Sequence, residues 1–111
     1  MAIPHAKSAE VVDIRPLDTK LHTAQTTTLV KTDSLEVIRL VLPAGKEIEP
    51  HSVVGEITVQ CLEGDVLFRA GGLDCKLSSG HLMYLAGSAE HSVRAIEDSS
   101  LLVTIVLKHG H

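Results

Sequence analysis

Two histidines and a glutamate are the side chains of this sequence best suited to chemistry. His51 follows Pro50 at the start of "HSVVGEITVQCLEG", and Glu56 comes five residues later. His91 lies further along, in "AEHSVRA". Neutral imidazoles bind divalent metals and transfer protons near neutral pH, and a carboxylate is a common further ligand. The residue types therefore raise two alternatives, a metal site or a binding cavity that holds no metal.

The composition argues against several classes of partner. The chain has 111 residues and a formal net charge of -4, and Phe68 and Tyr84 are its only aromatic residues. Binding to nucleic acid relies on basic surfaces and stacking platforms, so we expect no nucleic-acid partner. Residues 1–10 hold no apolar core of signal-peptide length and no stretch approaches a membrane span, so we expect a cytoplasmic protein with no membrane partner. A small anionic ligand remains compatible, because local charge matters more there than the total.

The elements that must position these side chains are predicted to be strands. β-Branched residues and turn signals recur every eight to twelve residues, which is typical of an all-β sandwich or barrel. Gly71 and Gly72 form the loop of a hairpin, since both accept a positive φ. We predict one domain over residues 1–111, with about nine or ten strands, a barrel core at 26–107 and an N-terminal strand and irregular segment at 1–25. The predicted strands are 10–15, 26–32, 35–42, 56–62, 66–70, 73–77, 81–85, 91–96 and 101–107.

The last predicted strand, "LLVTIVL" at 101–107, is apolar at nearly every position. A strand with one face in water would alternate, so this pattern indicates cover on both faces. A second subunit is one candidate for the outer cover, which predicts a homodimer with two-fold symmetry. The alternative is cover by the N-terminal segment of the same chain.

Two stretches resemble the paired motifs of the cupin family. The first cupin motif runs Gly, five residues, His-x-His, three or four residues, Glu, six residues, Gly. Here Gly45, His51 and Gly64 match it. The second motif begins with a glycine and carries one histidine, which Gly80 and His91 match. The resemblance covers about residues 35 to 107 and implies a cupin-type double-stranded β-helix, a jelly-roll barrel built from two Greek keys.

The metal ligands of the motifs match poorly. Val53 stands where the second histidine would be, and Ile57 stands where the glutamate would be. Glu56 is one residue out of phase and is expected to point to the opposite face of its strand unless a bulge re-aims it. The resemblance implies that His51 and His91 meet in the barrel as the only metal donors, for Fe, Mn, Ni or Zn. Two donors hold a metal weakly, so we expect a weak or absent metal. The alternative is that each imidazole is satisfied by a backbone carbonyl.

The rest of the expected cavity is mainly aliphatic. If position 57 faces inward, alternation places Val59 and Cys61 on the same face. Val53 and Val93, each two residues beyond a histidine, and Tyr84 complete the candidate ligand-binding set of His51, Val53, Ile57, Val59, Cys61, Tyr84, His91 and Val93. Tyr84 alternatively packs with its hydroxyl group at the rim. Such a lining suits a small-molecule ligand that is largely apolar or an organic acid.

Two functions follow as hypotheses. The first is a small cupin-type protein that binds a small ligand beside the two histidines, as a sensor, carrier or accessory protein. The second is a metal-dependent enzyme, such as a dioxygenase or isomerase, with His51 and His91 as metal ligands. A sugar-nucleotide epimerase is a weaker third. No nucleophile with an adjacent base is visible, so the catalytic residues stay unassigned.

Overall fold

The computed structural model describes residues 5–107. In that range the chain forms one short 3₁₀ helix, Asp18–Thr23, and nine strands. The strands are β1 Thr27–Lys31, β2 Leu35–Leu42, β3 Glu47–His51, β4 Ile57–Glu63, β5 Asp65–Ala70, β6 Leu73–Ser78, β7 Leu82–Leu85, β8 His91–Ala95 and β9 Ser99–Val106.

The strands form two antiparallel sheets that face each other. The first sheet has five strands in the order β1-β2-β9-β4-β7, and the second has four in the order β3-β8-β5-β6. The chain crosses between sheets at several corners, of which the β4–β5 corner is the tightest. There Gly64 has a φ of +90°, and a Cβ on it would lie 2.2 Å from the Ser99 hydroxyl oxygen. The arrangement is the jelly-roll barrel that the sequence predicts.

The core lies between the two sheets and is built from alternate positions of the strands. Leu101 and Val66 are completely buried, and Phe68 is the single aromatic side chain in the core cluster. Its other members are Leu42, Ile57, Val59, Cys61, Leu77, Leu85, Val93 and Ala95. Because these residues are small or aliphatic, burial of many modest side chains stabilises the domain.

The predicted first strand, 10–15, is wrong. Those residues form no strand, and Val11 is 97% exposed. The Arg15 backbone N–H donates to the Asp13 carboxylate at 2.9 Å, so a local turn takes the donor that a sheet would use. The sequence also misses β3, whose Pro50 lacks a backbone N–H. The sheet tolerates this proline because β3 is an edge strand.

The segment before β1 is fastened to the outer surface of the five-stranded sheet. The Glu63 carboxylate accepts hydrogen bonds from the backbone N–H groups of Leu17 and Asp18 at 3.0–3.1 Å. Arg39 donates to Glu63 at 3.1 Å and to the Arg15 carbonyl at 2.7 Å. Burial opposes ionisation of Glu63, but the hydrogen bonds to its carboxylate outweigh it and lower the pKa below its usual value. The N-terminal segment therefore covers one end of the β2–β9 surface, as the same-chain alternative expects.

Candidate functional site

His51 and His91 lie side by side at one end of the barrel. His51 ends β3 and His91 begins β8, and the two residues are direct partners in the antiparallel ladder. Their ring centroids are 4.3 Å apart, with an angle of 60° between the ring planes. His91 is buried, whereas His51 is exposed to solvent. The two imidazoles that the sequence singled out are thus neighbours, one inside the barrel wall and one at its rim.

A β-bulge brings His51 to the same face of the sheet as His91. From Ile48 to His51 the chain advances three residues, while the partner strand advances only two, from Val93 to His91. Strict alternation would place His51 on the face opposite to Ile48, and the extra residue reverses that. Pro50 lies within the bulge, where its missing N–H leaves no ladder hydrogen bond unmade.

Backbone carbonyls fix the protonation pattern of both rings. The Nδ1 atom of His51 lies 3.0 Å from the Glu49 carbonyl oxygen. The Nδ1 atom of His91 lies 2.9 Å from the Ala89 carbonyl oxygen. A carbonyl oxygen only accepts, so Nδ1 carries the hydrogen in each ring and Nε2 of a neutral ring is an acceptor. The same contact orients metal-binding histidines in proteins, so it agrees with both alternatives raised by the sequence.

The donor set does not fit a closed metal centre. Among residues 5–107, no group of three or more His, Cys, Asp or Glu side chains is placed to hold a metal ion. Glu56 lies on the outer surface, where its carboxylate accepts a hydrogen bond from the Tyr84 hydroxyl group at 2.5 Å. The one-residue displacement in the sequence thus keeps the carboxylate away from the imidazoles, and metal centres need at least three protein donors.

The barrel opens toward the histidine end. Along β9, Ser99 and Leu101 are completely buried, but Val103 and Ile105 are only partly buried although they share the inward face. Along β5 the exposure rises from 0% at Val66 to 3% at Phe68, and Ala70 is only partly buried. The inward face is therefore more exposed toward the histidine end along β5 and β9, although Ile57 and Leu85, which pair with each other at that end, stay buried.

The aliphatic residues predicted to line the cavity lie mostly in the packed core, and only Val53 is partly open to solvent. Ile57, Val59, Cys61 and Val93 point inward and are 1–4% exposed, while Val53 is partly buried against them. Burial raises the pKa of the Cys61 thiol, which is typical of an unreactive packing residue.

Tyr84 does not lie in the interior. Its side chain is 59% exposed on the outer surface of the five-stranded sheet. The hydrogen bond to Glu56 favours its neutral form and raises the pKa of the phenol. On β7 the inward positions are Met83 and Leu85, so the alternation there excludes Tyr84 from the cavity.

The sequence reasoning missed two groups beside the histidines. The Phe68 ring lies 6.4 Å from the His91 ring, centroid to centroid. Arg69 points the other way and borders an open cleft of about 310 Å³ that begins at His91. The cleft is lined by Pro50, Arg69, Gly71, Gly72, Ala89, Glu90, His91 and Ser92. Alternation along "VLFRA" was the available signal, since it places Val66 and Phe68 inside and Arg69 outside.

Solved structures of known proteins share the fold. A cupin superfamily protein from Desulfitobacterium hafniense matches with a TM-score of 0.77 and 12% identity, over 93% of this chain and 100% of that one. A conserved protein of unknown function from Streptococcus pyogenes matches with a TM-score of 0.75 and 22% identity, over 99% and 97%. A predicted oxalate decarboxylase from Thermotoga maritima matches with a TM-score of 0.68 and 22% identity, over 75% and 79%.

No protein-family model and no curated protein sequence matches the chain. At these identities the likeness concerns the fold, and the fold is that of a small cupin domain. Among residues 5–107, no helix has the length and apolar character needed to cross a membrane.

Proposed function

We propose that this protein binds a small organic acid at the open end of the barrel, beside His51 and His91, without a tightly held metal. The observation that carries the proposal is the pair of imidazoles 4.3 Å apart, each held by a backbone carbonyl, where the interior meets solvent. A few oriented polar groups beside apolar side chains are the usual make-up of a small-molecule site.

The surroundings favour a short ligand with an apolar body. The inward side chains nearest the mouth, Val53, Val103 and Ile105, are aliphatic and partly open to solvent. The cleft of about 310 Å³ that His91 shares with Arg69 lies on the other side of the strands, and its volume is at the small end of ligand sites, which span about 300–1,000 Å³. An apolar group of a few carbon atoms would rest on this surface and shield it from water.

The acid group of the ligand would carry or recruit a proton. A carboxylate only accepts hydrogen bonds, and Nε2 of a neutral imidazole also only accepts. A ligand carboxylate therefore needs a protonated imidazole or must itself arrive as the acid. Arg69 at the cleft supplies a permanent positive charge, although Asp74 already accepts a hydrogen bond from its Nε at 2.8 Å. Glu90 also lines the cleft, and its negative charge would repel an anionic ligand. Binding should thus be coupled to uptake of a proton.

A metal-dependent enzyme of dioxygenase or isomerase type is the second candidate. It is favoured by the two Nε2 atoms, which suit a divalent ion, and by the structural likeness to a predicted oxalate decarboxylase. Against it stands the lack of a third donor among the described residues. Under this candidate, His51 and His91 would hold Fe, Mn, Ni or Zn, and the metal would supply Lewis-acid chemistry.

Titration calorimetry separates the candidates. Benzoate and oxalate are titrated into protein that has been treated with a chelator, and then into protein supplied with Fe, Mn, Ni or Zn. We expect saturable binding of an acid without metal, lost in His51→Ala and kept in His22→Ala, which removes an exposed imidazole outside the site. Proton uptake should appear as a dependence of the binding heat on the buffer. Binding or turnover only after metal addition would favour the enzyme and overturn the first proposal.

A further inference from the structure

Two loops cross between the sheets at the histidine end, and each is attached to one of the two imidazoles. Residues 52–56 follow His51 and lead into β4, and residues 86–90 follow β7 and lead into His91. We call them the first and the second mouth loop. They lie side by side because β3 pairs with β8 and β4 pairs with β7. A contact that fixes one loop against the other should therefore also fix the distance between the two rings.

The backbones of the two mouth loops are in direct contact. The Ser88 N–H donates a hydrogen bond to the Val53 carbonyl oxygen at 2.8 Å, and within residues 5–107 this is the one backbone hydrogen bond between the loops. Beside it, a Cβ added to Gly87 would lie 2.5 Å from the Val54 carbonyl oxygen, closer than Cβ atoms come in proteins. The loops therefore approach each other through a residue without a side chain and through one N–H group.

The second mouth loop is a tight turn with an unusual residue in its left-handed position. The Ala89 N–H donates to the Ala86 carbonyl oxygen at 3.2 Å, which closes a turn of four residues. Ser88, the third residue of the turn, has a φ of +65°. Type II turns have a positive φ at this position and usually carry glycine or asparagine there. A serine in this conformation is strained, and such strain persists where the surrounding structure requires it, often at functional sites.

We propose that Ser88 is a positioning residue for the two imidazoles. The turn that it closes in its left-handed conformation directs the Ser88 N–H to Val53, two residues after His51. The same turn ends at Ala89, whose carbonyl oxygen holds Nδ1 of His91 at 2.9 Å. One strained residue thus sets the positions of both rings through the backbone. Its effect on a ligand rests on the proposed function of the histidines, whereas its effect on the rings does not.

Three variants and a control separate this role from a general loss of stability. Ser88→Val puts a β-branched side chain at a positive φ and should open the turn, whereas Ser88→Gly adopts that φ freely. Gly87→Ala leaves Ser88 unchanged and pushes the loops apart through its Cβ. Ser79→Val is the matched control, because Ser79 is also exposed but lies in the β6–β7 turn, at the other end of β7. Circular dichroism checks that each variant folds.

Nuclear Overhauser effects between the ring protons of His51 and His91, in protein without ligand, are the first readout. The unaltered protein, Ser88→Gly and Ser79→Val should show them, since the ring centroids are 4.3 Å apart. Ser88→Val and Gly87→Ala should lose most of this signal, and their neutral His91 ring should no longer keep its hydrogen on Nδ1 alone. Unchanged ring contacts in both folded variants would overturn the proposal, as would a loss in Ser88→Gly equal to that in Ser88→Val.

The affinity for benzoate, measured by titration calorimetry, is the second readout. Ser88→Val should bind roughly 10-fold more weakly than Ser88→Gly, because binding groups that are not held in place must be ordered by the ligand. Equal affinities in these two variants would overturn the link between Ser88 and the ligand. If the unaltered protein binds no acid, the proposed function fails, while the ring contacts still decide whether Ser88 positions the imidazoles.

Discussion

Replacing Glu63 with glutamine should strongly destabilise the protein. The Glu63 side chain is 12% exposed and its partner Arg39 is 7% exposed, so their ion pair is largely excluded from water. Glutamine keeps the shape but loses the charge, which removes the carboxylate that the buried Arg39 guanidinium contacts. One Arg39 nitrogen, Nε, already lacks a hydrogen-bond partner. Breaking a buried pair in this way costs about 3–5 kcal/mol, a large share of the roughly 5–15 kcal/mol that stabilises a typical domain.

The assay is chemical and thermal unfolding beside a matched surface variant. Glu36→Gln removes the same kind of charge from the Lys31–Glu36 pair, which is 3.3 Å long and more exposed. That change should cost at most about 1 kcal/mol. At roughly 4 °C or more per kcal/mol, Glu63→Gln should lower Tm by at least about 12 °C. Equal losses in the two variants would refute the reasoning, since the pair would then gain nothing from its burial.

The pH dependence gives the same prediction a second readout. The folded-state pKa of Glu63 lies below its ordinary value of 4.5, so the carboxylate stabilises the fold above that pH. This contribution is lost as the pH falls through the folded-state pKa. The stability difference between the original protein and Glu63→Gln should therefore shrink in acid. A difference that stayed constant down to acid unfolding would contradict the assigned role of the carboxylate.

Two further predictions concern single positions. Gly64→Ala should cost more than about 3 kcal/mol of stability, because the added Cβ would lie 2.2–2.4 Å from atoms of Ser99 and Asp98 at a φ of +90°. Gly80→Ala is the control: its φ is +91° but the space around it is open, so it should cost only about 1 kcal/mol. Comparable losses of stability in urea unfolding would show that the close contacts at Gly64 do not matter. The pKa of Tyr84 is raised by its hydrogen bond to Glu56, so ultraviolet titration of this single tyrosine should show a lower pKa in Glu56→Gln, and an unchanged titration would deny that contact.

Much of the barrel was predictable because most strands carry a clear local signal. The alternation at 57–61 and the paired glycines at 71–72 predict β4 and the β5–β6 hairpin as the structure has them. β3 was missed because "EIEPH" is acidic and contains a proline, and its strand conformation depends on pairing with β8. The strand predicted at 10–15 is wrong for the opposite reason: Val11 and Val12 give it a local strand signal, but no neighbouring strand pairs with it.

The candidate site was predictable in its residues but not in its geometry. The spacing of His51 and His91 within the two motifs indicated that the rings meet, and the phase of Glu56 indicated that it does not join them. The bulge at Pro50 that turns His51 inward depends on the register of two strands, which no local pattern encodes. Tyr84 does not line the cavity because the alternation of β7 turns Met83 and Leu85 inward instead. Arg69 gave no local signal because the cleft combines residues of β3, β5, β8 and two loops that are distant in sequence.

The most direct test of the account is nuclear magnetic resonance of the histidine ring nitrogens during titration with benzoate. The neutral rings of His51 and His91 should carry their hydrogen on Nδ1, and both ring signals should shift together and saturate on addition of the acid. The His22 signals should stay in place. A hydrogen on Nε2 in either ring, or a titration that moves neither His51 nor His91, would contradict the claim that these two imidazoles form a small-molecule site.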